Sequence, residues 1–212
     1  MKSRHWIVLL LIASIGVLSF RVNQALEGAN QRYTTPVHVH ADFAVFTNKT
    51  KLDFSQTKYQ SSVGKEKDEH VHLHDGDGKV VHRHAEGVTF AQFLASLGYG
   101  FTNDCFTSDT NEQFCINASS SLTLYVNEKV VEEKTAYVPQ EEDKILLTYS
   151  AKDADVKSEL ASVTDESCIH TGTCPERGVP EVESCGLTCD VTLSQSKITL
   201  KEIASYVFLN HY

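Results

Sequence analysis

The chain has 212 residues, 41% hydrophobic and 22% charged, a composition that excludes a disordered polymer and leaves room for one ordinary domain with appendages. Its 19 basic and 28 acidic residues give a formal net charge of −9 with no basic stripe. That excludes nucleic acid as a partner, because phosphates demand Lys and Arg, and it suits cations.

The N-terminus reads MKSRHWIVLLLIASIGVLSFRVNQ. Lys2 and Arg4 precede an apolar run from Trp6 to Phe20, which Arg21 closes. A positive segment before an apolar one is the layout of an export signal. The run is shorter than the roughly 20 residues of a full membrane span. No small-x-small cleavage site follows it closely, so an uncleaved anchor (transmembrane) and a cleaved signal peptide both stand. Residues 1–20 are thus a signal or anchor segment and 21–36 a polar spacer. Either reading places residues 30–212 outside the cytoplasm, membrane-anchored or secreted.

From residue 37 the pattern changes. VHVHADFAVFT alternates like a strand, and NKT followed by KLDF completes a hairpin. After a polar connection, HVHLH and KVVHRH flank DGDG, a second hairpin with strong turn chemistry. GVTFAQFLASLGYGF predicts a helix: Thr89 is the N-cap, Phe90, Phe93, Leu94 and Leu97 share one face, and Gly98 stops it. SLTLYVNEKVV is a strand with a turn at Asn127-Glu128, and KILLTYS at 144–150 reads as a central strand. DVKSELASV predicts a short helix with Val156, Leu160 and Val163 on one side, and KITLKEIASYVFLNHY is ambiguous between helix and strand.

Strand pair, helix, then further strands is the β-grasp order. The expected fold class is α+β: a β-grasp-like mixed sheet packed on one helix, with an inserted His-rich β-hairpin and a disulfide-rich C-terminal tail. The α+β domain covers 37–151, and 152–212 holds the short helix and a cysteine-rich extension.

Six cysteines, an even number, suit an oxidising compartment: Cys105, Cys115, Cys168, Cys174, Cys185 and Cys189. Cys105 with Cys115 is the natural local pair. The last four compete between disulfides and a four-cysteine zinc site. Gaps of five, ten and three residues, with no C-x2-C knuckle, favour disulfides. The sequons NKT at 48–50 and NAS at 117–119 matter only in a host that glycosylates them.

The histidines carry the chemistry. Side chains alternate faces along a strand, so His38 and His40 share a face, as do His70, His72 and His74, and as do His82 and His84. A three-residue loop GDG sets His72 opposite His82 and His70 opposite His84, gathering five imidazoles on one face. A two-residue loop at Gly76-Asp77 would split them. The third-position glycine favours the longer loop. Directly opposed residues sit about 4.5–5.5 Å apart, close enough for two rings to reach one ion through bonds of about 2.0–2.1 Å. Neutral imidazole suits transition metals, and with cysteines oxidised, Cu2+ or Zn2+ is the expected ion. His38, His40, His70, His72, His74, His82 and His84 are the candidate ligands, with Asp42 and Asp75 able to add an oxygen or orient a ring. A single histidine in such a strand is usually an exposed residue; three H-x-H units within 47 residues are not explained that way.

GKEKDEHVH resembles the G-x5-H-x-H opening of the first cupin motif, but no glutamate follows at the required spacing. A likeness to copper-zinc superoxide dismutases and carbonic anhydrases extends to the H-x-H spacing alone. HVHADFAVFTNKTKLDFSQTKYQS, VHLHDGDGKVVHRHAEGVTFAQFLASLG, LYVNEK and SVTDESCIHTGTCPERG together resemble a family of exported His-rich proteins from candidate-phylum (patescibacterial) bacteria and small archaea. The resemblance spans about residues 36–180 and implies that the histidine units, the helix and the C-P-E-R-G segment form one module. It carries no activity with it.

The functional expectation is an exported, non-enzymatic transition-metal-binding domain, with a metal ion and the membrane as partners. Two alternatives stand beside it: a metal-dependent enzyme using the same histidines, and a cell-surface interaction or scaffold module with a pH-responsive histidine face. A metal site empties on acidification and on chelation, whereas a pH switch works without metal.

Overall fold

The computed structural model describes residues 36–62 and 65–179, with Ser19 alone upstream. The expected N-terminal anchor or signal, the spacer, Cys185, Cys189 and the ambiguous C-terminal segment lie outside the described residues.

The fold is α+β, a mixed open sheet with few helices. Strand β1 (Pro36–Thr47) runs through its centre. It pairs in parallel with β10 (Lys144–Ala151) and antiparallel with β4 (Val80–Ala85). β3 (Val71–His72) extends the sheet beyond β4. On the other side β10 pairs antiparallel with β8 (Ser120–Val126), which pairs with β9 (Lys129–Val130). The path is β3-β4-β1-β10-β8-β9, with β2 (Thr50–Lys51) turning back on the end of β1. Without β3, this is the β-grasp arrangement, with first and last strands parallel at the centre. The His-rich hairpin is woven into it, because its second strand is itself the neighbour of β1. Positive φ angles at Asn48 and Lys49, and at Asn127 and Glu128, make the tight turns that the sequence predicts there.

Helix α1 (Phe90–Ser96) covers one face of the sheet. Thr89 and Gln92 form a capping box: the Gln92 N–H donates to the Thr89 hydroxyl oxygen, and the Thr89 N–H donates to the Gln92 side-chain oxygen at 2.8 Å. Gly98, at φ +90°, ends the helix as expected. Its buried Phe90, Phe93 and Leu94 meet Ala41, Phe43 and Val45 of β1, with Phe43 packed at 5.0 Å between ring centroids against Phe93 and 5.2 Å against Phe54. Full burial of each such side chain stabilises the fold by about 1.5–3 kcal/mol. A small sheet of β5 (Gly100–Phe101), β6 (Cys105–Thr107) and β7 (Gln113–Cys115) seals one end of this core. Cys105 and Cys115 face each other across β6 and β7 and form the expected disulfide, while Phe106 between them is fully buried.

The opposite face of the sheet is covered differently. Ala44, Phe46 and Leu146 make a second, smaller core with Leu160 and Val163, contributed by and following α2 (Lys157–Leu160). Next along the chain comes α3 (Ser167–Thr171), closed by Gly172 at φ +72° and by the Cys168–Cys174 disulfide. That bond overturns the competing zinc reading of the last four cysteines, since two of its thiolates are joined to each other.

Asp42 holds this segment down. The sequence offers it as an oxygen ligand or ring-orienting group; the fold uses it otherwise. Its fully buried carboxylate accepts hydrogen bonds from the Glu166 N–H (2.8 Å), the Ser167 N–H (2.9 Å) and the hydroxyls of Thr164 and Ser167. It is a remote N-cap, reaching from β1 to the first turn of α3, where the helix has no side-chain cap of its own. Replacing Asp42 by Ala leaves these donors without their acceptor, and each buried orphan costs about 1–3 kcal/mol. We expect Asp42→Ala to lower stability by at least about 3 kcal/mol in urea unfolding and to strip amide-exchange protection from Glu166 and Ser167.

Candidate metal centre

The even-numbered side chains of β1 point away from α1: His38, His40, Asp42, Ala44 and Phe46. On β4 the alternation sends Val81 and Ala85 into the main core and His82 and His84 to the other side. On and beside β3, Val71 and Leu73 enter the core, leaving His70, His72 and His74 on the same side as the other histidines. Register then aligns them. His40 stands opposite His82, and His82 opposite His72. The His84 N–H donates to the His70 carbonyl at 2.7 Å, completing the register expected from the longer loop.

The turn that sets this register is not the expected GDG loop. Asp75 and Gly76 both take positive φ, and the Asp77 N–H donates back to the His74 carbonyl at 3.0 Å. The tight turn is therefore Asp75-Gly76, and residues 77–79 widen it. The Asp77 carboxylate accepts from the Lys79 N–H at 2.7 Å, which lets the strands realign about Asp77. Gly78 is needed for a different reason: a Cβ there would lie 2.3 Å from the Ser55 backbone nitrogen.

Six imidazoles close into a ring of neighbours. Centroid separations are 4.5 Å for His38–His40, 4.8 Å for His40–His82, 3.9 Å for His82–His74, 5.7 Å for His74–His72, 4.9 Å for His72–His84 and 4.8 Å for His84–His38. His72 and His82 are fully buried, His40, His74 and His84 are buried, and His38 is exposed. His70 is half-buried at the margin, its ring nitrogens 3.5 Å from the Asp68 carboxylate and 3.8 Å from that of Glu69. Within the ring, His38, His40 and His82 form a set that can hold a metal ion. One nitrogen from each lies within 4.8 Å of the others. A tetrahedral ion with bonds of about 2.0–2.1 Å sets its ligand nitrogens about 3.4 Å apart, so binding draws these rings inward.

The surroundings orient the rings. Nδ1 of His72 lies 2.8 Å from the Asp68 carbonyl oxygen, which can only accept. Nδ1 of His74 lies 2.7 Å from the Asp75 carboxylate, which places Asp75 to orient that ring. Both rings are thus placed to donate from Nδ1, the arrangement that metal-ligating histidines commonly have. Glu141 accepts from the His40 N–H at 3.0 Å and stands 3.5 Å from its Nδ1. Burial alone would raise the Asp77 carboxyl, but the His170 side chain, the Lys79 N–H and the Lys79 charge outweigh it and hold Asp77 below the ordinary carboxylate range. Burial is likewise outweighed at Asp68, by His70 and the N–H groups of His70 and Val71. The rim around the imidazoles is thus anionic.

Sequence reasoning missed His170. Alone in CIHTGTC, outside any H-x-H unit, it gives no signal. Docking of α3 brings its ring to 5.4 Å from His40 and 5.0 Å from His82, with Nε2 3.7 Å from Asp77. Glu141 was equally hidden, on a loop whose path depends on the Glu142 N–H donating to the His40 carbonyl.

No family model, curated protein or solved structure matches the chain. The site therefore rests on its own geometry.

Gly78→Ala tests the hairpin that carries His72, His74, His82 and His84. Its methyl meets backbone at residues 54 and 55, which cannot swing aside as a side chain would. We expect a loss of about 1–3 kcal/mol in chemical unfolding, together with weaker metal uptake by the folded fraction.

Proposed function

We propose that the chain is an exported, non-enzymatic module, membrane-anchored or secreted, that takes up a transition metal outside the cytoplasm. The observation that carries this is the His38–His40–His82 set, set in a continuous ring of mostly buried imidazoles. Burying aromatic nitrogen bases side by side has little value for packing, whereas a cation can be shared by the nitrogens of several rings, as in the His38–His40–His82 set. The donors are nitrogen, and all four described cysteines are in disulfides, so soft thiolate chemistry is closed. Cu2+ fits first, since nitrogen sites hold it most tightly of the first-row divalent ions, and Zn2+ next. The disulfides suit an oxidising compartment. No helix among the described residues is long and apolar enough to cross a membrane, so the anchoring part of the proposal rests on the N-terminal sequence. The resemblance to exported His-rich proteins belongs to the same proposal.

A second reading, a metal-dependent enzyme, has one observation in its favour: the Glu141 carboxylate stands 3.5 Å from Nδ1 of His40, a member of the His38–His40–His82 set. A carboxylate there is placed as a base beside an open coordination position. If that reading holds, Glu141→Gln will abolish a metal-dependent turnover while leaving metal content unchanged.

The test is elemental analysis of protein purified without an affinity His-tag, followed by Cu2+ and Zn2+ titration. We expect bound metal, and at least tenfold weaker affinity for each of His38→Ala, His40→Ala and His82→Ala. Protein that emerges metal-free and takes up neither ion overturns the proposal.

A further inference from the structure

We infer that the histidine ring holds two ions rather than one, the second bound by His72, His74 and His84. This rests on the metal-binding reading of the cluster and extends it to a second site. The first set, His38, His40 and His82, accounts for half of the ring. The other half has features of its own that point to a ligand. His72 and His74 are buried, and their Nδ1 atoms are fixed by the Asp68 carbonyl and the Asp75 carboxylate. Partners of that kind set the tautomer and raise the basicity of a ligating ring. They occur on two rings outside the first set, orienting both toward the same side of the ring of imidazoles.

The spacing agrees. A ring bound through one nitrogen at about 2.0–2.1 Å has its centroid roughly 3.2 Å from the ion, so two such rings on a tetrahedral ion sit roughly 5 Å apart. His72–His84 is at 4.9 Å and His72–His74 at 5.7 Å, against 4.5 and 4.8 Å in the first set, whose nitrogens already stand within 4.8 Å of one another; a second ion would have to draw His72, His74 and His84 closer. The two halves touch through His74–His82 at 3.9 Å and His38–His84 at 4.8 Å. Two ions so housed would be close neighbours. Their combined charge is met by the anionic rim of Asp68, Glu69, Asp75, Asp77 and Glu141. Each set has three protein ligands, and the exposed face at His38 gives exchange with solvent. Such a cluster suits loading and release of a metal cargo.

The full chain, purified without a His-tag and saturated with Cu2+ or Zn2+, should retain two equivalents after removal of excess ion. The double variant His72→Gln/His74→Gln should retain one, and His38→Gln/His40→Gln should also retain one, with circular dichroism confirming that each remains folded. Electron paramagnetic resonance of the Cu2+-saturated wild-type chain reads the same question without any variant: two neighbouring ions give a dipole-coupled spectrum with a half-field line. One equivalent in the wild type, or a spectrum of isolated Cu2+ at saturation, overturns the second site while leaving the metal-binding proposal intact. No retained metal at all overturns both. A stoichiometry of two that neither double variant lowers overturns the assignment of ligands.

Discussion

β1 is buried on both faces from His40 onward, so a slip of one residue in its register would put Asp42 or Ala44 where Phe43 packs and turn His40 toward the hydrophobic core. The main core needs Ala41, Phe43 and Val45 toward α1. That requirement sends His38, His40 and Asp42 to the opposite side, and pairing with β4 then sends His82 and His84 there too. The histidine layer is thus the reverse face of the hydrophobic core. Packing on one side fixes where the imidazoles stand on the other, because the pleat leaves no independent choice.

This arrangement is costly unless the imidazoles have a common task. Two positive charges about 4 Å apart repel by about 4 kcal/mol at an effective dielectric of 20, so the packed rings cannot all be protonated together. Imidazoles side by side gain little from one another, whereas a cation among them could be shared by several ring nitrogens. The acidic surroundings fit the same demand. An acidic net charge, carboxylates at the rim and ring tautomers held by Asp68 and Asp75 all favour a positive guest.

The C-terminal segment makes the site three-dimensional. α3 is only five residues long and could not persist alone. The buried Asp42 carboxylate and the Lys79–Glu166 ion pair hold it against the sheet, and the Cys168–Cys174 disulfide closes it on itself. Its docking is what brings His170 beside His40 and His82. Asp42 lies two residues beyond His40 on the same face, yet it acts as a structural latch rather than a ligand. Position on a face places a residue near the site; the donors around it decide its role.

Much of this was legible in the sequence. Period-two alternation paired His38 with His40, and alternation with the hairpin register put His70, His72, His74, His82 and His84 on one face; that the two groups meet came from the pairing of β1 with β4. Local chemistry determined the Thr89 cap, the Gly98 stop, the turns at Asn48-Lys49 and Asn127-Glu128, and the Cys105–Cys115 pair. The pairing of His72 with His82 was also within reach, although the turn making it is Asp75-Gly76 rather than GDG. The tertiary structure alone decided the use of Asp42 and the arrival of His170 and Glu141. These depend on contacts between residues up to 125 positions apart, such as Asp42 with Ser167. Alternation and turn propensity act over a few residues and are written in the chain, whereas a long-range contact exists only once β1, the sheet and α3 have packed together.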